Sequence, residues 1–412
     1  MATYESYKDS GVKWLGQIPS HWEVKKCRAF FDEITQQNLS RQHSNQLQFQ
    51  YGTIVPKANQ VLDEDVWKTI SKYTVVQPGD IVINGLNLNY DLISQRIGIV
   101  RESGVITSAY ISIRPKDLAS AKFYEYLLKA LDARKTFHGF GTGVRATLSW
   151  KELKHKLLPV VPSAEQEAIV AYLDKVTGEI DRAIEAQQKM IDALNARKKI
   201  IITRAFQNEN SEWNSIPFRH VFEMRGGYTP SKADPSLWEN GTIPWYRMED
   251  IRKSGRFLNE AIQYVNRKAV KAKGTFKAGS YILAICTASI GEHAMLIADS
   301  LANQQFANLK IRKSLEHKLS PMFIFYYLYV VGDFCRNNAN STCFQYVDME
   351  GLKKLPVPIP PIEEQKDIVT RLDKDTSTLT EAISDCERLI ALLTERKQII
   401  INEVVTGKKK VN

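Results

Sequence analysis

Pro159-Val-Val-Pro162-Ser-Ala-Glu165-Gln166-Glu-Ala-Ile169-Val170-Ala-Tyr-Leu173-Asp174-Lys175 returns 199 positions later as Pro358-Ile-Pro-Pro361-Ile-Glu-Glu364-Gln365-Lys-Asp-Ile368-Val369-Thr-Arg-Leu372-Asp373-Lys374. The register continues without a gap: Leu194, Arg197, Lys198 and Ile200-Ile201-Ile202 match Leu393, Arg396, Lys397 and Ile399-Ile400-Ile401. Prolines close whatever precedes each copy, because a residue before proline is pushed out of helical geometry. Apolar positions then recur at spacings of three and four, in the first copy at Ile169, Leu173, Val176, Ile180, Ala183, Met190, Ile191 and Leu194. The second copy runs Ile368, Leu372, Leu379, Ala382, Ile383, Ile390, Leu393, with Asp375 and Cys386 facing Val176 and Gln187 of the first. Each copy predicts one helix of about 40 residues, roughly 60 Å long at ~1.5 Å per residue. Two such stripes in one chain pack most economically on each other. The predicted seam joins Ile169, Leu173, Ile180 and Leu194 to Ile368, Leu372, Leu379 and Leu393. Antiparallel packing would set a domain at each end, a dumbbell with approximate two-fold symmetry. Glu165 and Glu364, in the first turn of each helix, suit the positive end of its dipole, and the neighbouring glutamines can cap.

Working outward, residues 1–157 form a first module, 158–207 the first helix, 208–356 a second module and 357–412 the second helix. The first module offers strand-like runs at Tyr73–Val76, Ile81–Ile83, Ile97–Val100 and Ala109–Ile113, then a helical stretch at Ala121–Leu131. The second repeats this plan with little identity, placing a strand at Ser280–Ile285 and a helix around 321–331. The module entries also suggest a match, Trp14…Ile18-Pro19 against Trp213…Ile216-Pro217. The fold class is mixed α/β (α+β): two modules with small sheets, joined by two long antiparallel, coiled-coil-like helices.

The chain has 412 residues and a net charge of +10, which favours an anionic partner, nucleic acid above all. Five scattered cysteines without C-x-x-C spacing argue against disulfides and zinc, and the seven histidines show no metal-ligand spacing. The polar start Met1-Ala-Thr-Tyr-Glu-Ser-Tyr-Lys-Asp has no apolar leader, and the apolar run Met322–Val331 is about half the ~20 residues that span a bilayer. A cytoplasmic protein without a membrane partner is expected. Catalytic signatures are missing: there is no [DNS]-P-P-[YFW] motif, and Gly274-Thr-Phe-Lys-Ala-Gly279-Ser280 lacks the Lys-Ser/Thr pair of a phosphate loop. No catalytic residue and no metal site are assigned.

Binding features are stronger. Between Arg247 and Lys277 nine Lys/Arg, among them Arg247, Arg252 and Lys253, face three acids and interleave with Tyr246, Phe257, Tyr264 and Phe276. Such a stretch suits phosphate contacts, although a solvated basic surface would read the same way. The loop Gly226-Gly227-Tyr228-Thr229-Pro230-Ser231 beside Arg225 could bring backbone N–H groups to a phosphate. The loops Gly139–Arg145 and Ser341–Tyr346 occupy matching positions before the helices. Arg145, Gln345 and Tyr346 are their candidates for base contact, arginine suiting guanine and glutamine adenine. Asn87, Asn89, Tyr90 and Arg96 form a further polar loop in the first module.

At this point the residues resemble a family. The repeated proline–Glu-Gln–Ile-Val…Leu-Asp block, with its helix ending in Arg-Lys-x-Ile-Ile-Ile, is similar to the conserved regions of type I restriction-modification specificity subunits. Gly226–Ser231, Ile243-Pro-Trp245, Asp250-Ile251 and Ala302-Asn303-Gln304 resemble that family's target-recognition pattern, whereas the first module shares only Ile18-Pro19-x-x-Trp22 and its position. The resemblance implies two target recognition domains that read the halves of an asymmetric, gapped site in double-stranded DNA. It also implies that two methyltransferase subunits dock on the chain and methylate adenine N6 with S-adenosylmethionine, and that restriction subunits using ATP and Mg²⁺ join them. The chain itself would hold no cofactor. The rival readings are a stand-alone DNA-binding or scaffold protein that oligomerises through the same seams, and an enzyme in its own right, which the absent motifs disfavour.

Overall fold

A computed structural model describes residues 2–50, 52–58, 61–88, 95–141, 146–207, 213–254, 257–286, 289–339 and 347–411. The chain divides into two compact units: Met1–Gln188 with Arg388–Asn412, and Lys189–Glu387. Both boundaries fall inside the long helices, so each unit holds one module, the start of one helix and the end of the other.

In the first unit, four antiparallel strands lie in the order Phe31–Glu33, Ile111–Pro115, Ile81–Ile83, Ile97–Ile99. Ile81, Val82 and Ile83 are all buried, so this run does not alternate. The reason is cover on both faces. Ile81 and Ile83 pack with Phe123 and Leu127 of the helix Ala121–Ala133, while Val82 joins Leu47, Ile54, Val76 and Ile106 on the other side. The turn ahead of the strand needs Gly79 at a φ of +93°, and buried Asp80 closes it by accepting from Gln77 N at 2.7 Å and from both forks of Arg114.

The second unit repeats this order: Phe222–Gly226, Phe306–Ile311, Tyr281–Ala284, His293–Leu296, with Phe257–Leu258 added in parallel at the edge. The helix Pro321–Asn337 takes the place of Ala121–Ala133, started by Ser320 and a first-turn proline. It contains the apolar run Met322–Val331, and among the described residues no helix is long and apolar enough to cross a membrane. The entry match needs correction. A two-stranded ladder leads into each long helix, Glu23–Lys26 with Leu157–Val160 in one unit and Asn214–Pro217 with Pro356–Ile359 in the other. The residue just before the first strand of each ladder is Trp22 or Trp213, so Trp22, not Trp14, is the counterpart of Trp213. An extra hairpin, Tyr7–Asp9 with Gln17–Pro19, precedes Trp22 and displaced the match in sequence.

The long helices run Ser163–Ala205 and Ile362–Val405. In the first unit Ile169, Leu173 and Ile180 share a core with Ile400, Val404 and Val405, and Lys397 pairs with Asp181 at 2.7 Å. In the second, Ile368 and Leu372 pack with Ile202, and Lys198 donates to Thr380 at 3.0 Å. Rising numbers on one helix meet falling numbers on the other, so the pairing within each unit is antiparallel. Seam residues Leu194, Leu379 and Leu393 are half-buried. Met190 is 52% exposed, contrary to its place in the predicted stripe, because the buried arc has rotated onto Ile191.

His293 is buried with its ring 4.6 Å from Tyr329, Nδ1 3.2 Å from the Gly291 carbonyl and Nε2 3.1 Å from that of Phe325. Burial pushes its pKa down to about 4 despite those two carbonyls. An unfolded chain would take up a proton near pH 6.5 that the native state refuses. Stability is therefore complete above that pH and falls as pH drops toward 4. The unfolding free energy of the native chain relative to His293→Gln should shrink by about 3 kcal/mol between pH 7 and pH 4. A pH-independent difference in denaturant melts would contradict this. Leu372→Ala, at a fully buried seam position, should cost about 2–5 kcal/mol, whereas Leu392→Ala, 56% exposed, should cost less than ~0.5 kcal/mol. Equal costs in urea unfolding would refute the assignment of faces.

Candidate nucleic-acid interface

Backbone hydrogen bonds gather several loops at one end of the second module's sheet. Gly227 N donates to Phe306 O (2.8 Å), Asn303 N to Tyr246 O (3.1 Å), Ile285 N to Gln305 O (2.9 Å) and Val347 N to Ile285 O (3.0 Å). Arg252, on the helix Met248–Ser254, reaches the same place by donating to Ser289 Oγ at 3.1 Å, with Glu292 3.9 Å away. Arg252 and Lys253 are exposed. Arg247 is more committed: its N–H and guanidinium bond Asp250 and Glu249. The rest of the basic stretch leaves Arg267, Lys268, Lys271 and Lys273 exposed, while Lys277 pairs with Asp299.

The glycine-rich loop works differently from the phosphate cradle expected of it. A Cβ on Gly227 would lie 2.0 Å from Asn303 O, so glycine is required for close approach of two backbones. The N–H groups of Gly227 and Tyr228 are used internally, on Phe306 O and Ala302 O. Tyr228 donates its hydroxyl to Ala269 O at 2.7 Å and carries Lys271 Nζ 4.3 Å above its ring. Arg225 donates to the carbonyls of Gly274 (2.7 Å) and Thr275 (3.2 Å) and lies over Phe276. It anchors a turn. Thr229 and Gln304 are both exposed and joined by a 2.6 Å hydrogen bond from the threonine hydroxyl to the amide oxygen. Gln304 was not picked out as a site residue, although the Asn303-Gln304-Gln305 run of amides between two strands is a visible signal.

The first module brings together two loops that sequence proposed separately. Leu148 N donates to Gly85 O at 2.9 Å and Leu88 N to Ala146 O at 3.2 Å, so the segments 84–88 and 146–148 are stitched. Leu148–Gly85 and Val347–Ile285 are equivalent bonds in the two modules. Asn87 is exposed at a φ of +51°. Arg96 is buried, donating to the carbonyls of Asn84 (3.0 Å), Leu86 (2.6 Å) and Asn87 (3.3 Å), and its own N–H is held by Asp132 at 2.8 Å. It clamps the loop that presents Asn87. Asn89, Tyr90, Arg145, Gln345 and Tyr346 lie outside the described residues.

Glu165 and Glu364 prove to be tethers. Glu165 accepts from Tyr4 OH and Trp22 Nε1, both at 3.1 Å, and meets His21 at 2.5 Å. Glu364 accepts from Trp213 Nε1 at 3.0 Å. The glutamines reach back to carbonyls five residues earlier, Gln166 to Val161 and Gln365 to Pro360, both at 2.8 Å. Among the described residues no group of three His, Cys, Asp or Glu is arranged to hold a metal ion.

Residues 210–385 match the type I restriction modification DNA specificity domain. The chain is 41% identical over 177 residues to the type I restriction enzyme EcoprrI specificity subunit of Escherichia coli, covering 41% of this chain and 43% of that relative. It is 22% identical to the putative type I restriction enzyme MjaX specificity subunit of Methanocaldococcus jannaschii, over 98% of both. A solved chain from work on complex assembly and conformational transition of the type I R-M system shares the fold, with a TM-score of 0.59 at 14% identity over 94% of this chain and 98% of that one. Residues 210–385 are therefore similar to the type I restriction modification DNA specificity domain, and the chain as a whole is similar to type I specificity subunits.

Proposed function

We propose that this chain is the DNA sequence-specificity subunit of a type I restriction-modification system, non-catalytic alone and cytoplasmic. In this reading the two modules are target recognition domains, each reading one half of an asymmetric, gapped site in double-stranded DNA. The observation that carries it is the pairing of one shared frame with two different surfaces. Both modules have the same strand order and the same ladder into the same helix, yet present different residues from their loop ends. Duplicate readers of one sequence would have no reason to diverge there.

Arg252, Lys253 and Lys271 supply phosphate contacts in this reading, and Asn87, Thr229 and Gln304 are the exposed polar groups suited to base edges. Arg96 and Arg225 act indirectly, by holding loops. Two methyltransferase subunits bring S-adenosylmethionine for adenine N6 methylation, and restriction subunits bring ATP and Mg²⁺. Exposed apolar residues support docking of partners on the helices. Met190 and Ile200 on one match Leu389 and Ile399 on the other, and Leu392 extends the second stripe. A stand-alone protein that self-associates would cover the same stripes, and that is the second reading.

The deciding experiment is methylome sequencing of a host without its own systems, carrying this gene and its neighbouring methyltransferase gene, against the same host lacking this gene. Modified adenines at a gapped two-part motif, lost with this gene, are expected; no new modification with both proteins expressed would favour the stand-alone reading. Exchanging residues 208–356 for a relative's module should change one half-site and leave the other intact. Leu389, Leu392 and Ile399 changed together to serine should abolish co-purification with the methyltransferase while DNA affinity of the chain alone is kept. Retained assembly would remove the stripe from the docking surface. Lys253→Ala should weaken binding to all sequences alike and reduce the slope of log K against log salt by about one. A loss confined to one sequence would assign Lys253 to base reading instead.

A further inference from the structure

Near the start of each long helix an aspartate and a threonine three residues apart receive one tyrosine hydroxyl from the module. Tyr126 OH donates to Asp174 Oδ1 at 2.6 Å and lies 3.4 Å from Thr177 Oγ1. Tyr326 OH donates to Asp373 Oδ1 at 2.5 Å and lies 3.5 Å from Thr376 Oγ1. Both tyrosines and both threonines are buried. The spacing i, i+3 sets each Asp–Thr pair on one helical face, and the buried leucines Leu173 and Leu372 immediately precede the aspartates.

The recurrence is selective. Aligned over Ala121–Ala133, the two module helices share only Phe123 with Phe323, Tyr126 with Tyr326 and Leu128 with Leu328. Their surroundings have diverged: Glu125 sits between Lys122 and Lys129 where Phe325 packs on His293. Two helices that kept so little in common kept the one hydroxyl that enters the frame. Apolar packing is non-directional and would hold a module on its helix in several registers of similar energy. A hydroxyl–carboxylate bond is short and angle-dependent, so it selects one.

We propose that Asp174–Thr177 and Asp373–Thr376 are equivalent sockets, and that Tyr126 and Tyr326 are positioning residues that fix how each module sits on its own helix and thereby the gap length that the protein accepts between half-sites. The gap-length consequence rests on the functional reading above. The socket also explains how unrelated recognition surfaces share a frame, since a module needs only a helix bearing one tyrosine at this position to be seated.

The test uses the assembled methyltransferase with Tyr126→Phe or Tyr326→Phe, on DNA whose half-sites are fixed and whose gap varies in steps of one base pair. Wild-type protein should favour one gap. Either variant should cut that preference over neighbouring gaps at least tenfold while the bases required in each half-site stay unchanged. A folded variant with the wild-type gap preference overturns the proposal. Should a phenylalanine variant fail to fold, Asp373→Ala, which leaves the tyrosine and removes its acceptor, is judged in the same way. Failure of both to fold assigns the socket to folding and overturns the positioning role. A wild-type assembly that modifies no two-part site contradicts the functional reading instead. Amide exchange then judges the sockets without DNA: faster exchange of the helix Ala121–Ala133 in Tyr126→Phe supports them, and unchanged protection counts against them.

Discussion

A helix of 43 or 44 residues with an apolar stripe stays folded in water only if that stripe is covered, and the structure supplies two covers for the start of each helix. One is the closing turns of the other long helix; the second is the module's own helix, Ala121–Ala133 or Pro321–Asn337. At roughly 25 cal/mol per Å² of apolar surface, burying residues such as Leu173 and Leu372 from two sides makes module and frame one cooperative unit. The compact units follow this logic, each taking the start of one helix and the end of the other.

The duplication is close but not perfect, and its departures have local causes. Tryptophan–glutamate tethers and tyrosine sockets occur in both units. Gln365 adds a third tie in the second unit, accepting from Ser320 N at 2.7 Å and donating to Lys318 O at 2.8 Å. Gln166 makes only its bond to Val161, and its buried Oε1 has no partner among the described residues. The first unit gains elsewhere. Tyr4 and His21 crowd onto Glu165, and Ala2 exchanges backbone hydrogen bonds with Lys410 after a turn at Gly407. A Cβ at Gly407 would lie 2.4 Å from Pro19 and its φ is +74°, so this tail closes on the terminal hairpin only through glycine.

The long helices were legible because their signal is periodic and repeated over many turns, and prolines mark where they begin. The common plan of the modules was legible from the order of strands and helix. Roles that depend on three-dimensional partners were not. Trp14 resembled Trp213 in its spacing to Ile-Pro, yet the equivalent tether is Trp22, since an inserted hairpin shifts the count without shifting the ladder. Arg96 and Arg225 carried the composition of DNA contacts, but an arginine that binds carbonyl oxygens looks identical in sequence to one that binds phosphate oxygens. Gly227 looked like a phosphate loop because close backbone approach and anion binding both demand glycine.

These assignments narrow what can vary at the loop ends. Among the described residues, Gly227, Asn303, Val347 and Leu148 each donate their N–H to a carbonyl of a neighbouring segment, so these backbone groups are satisfied before any ligand arrives. Buried Arg96 and glycine-requiring Gly227 belong to those internal contacts, and changing either alters the loop itself. Thr229, Arg252, Lys253 and Gln304 are exposed, and their replacement leaves the stitched backbone intact. A surface of that kind can be rewritten residue by residue on an unchanged scaffold. Two modules that agree in strand order, in a tryptophan tether and in three positions of the module helix, and share little else in sequence, are what such rewriting leaves behind.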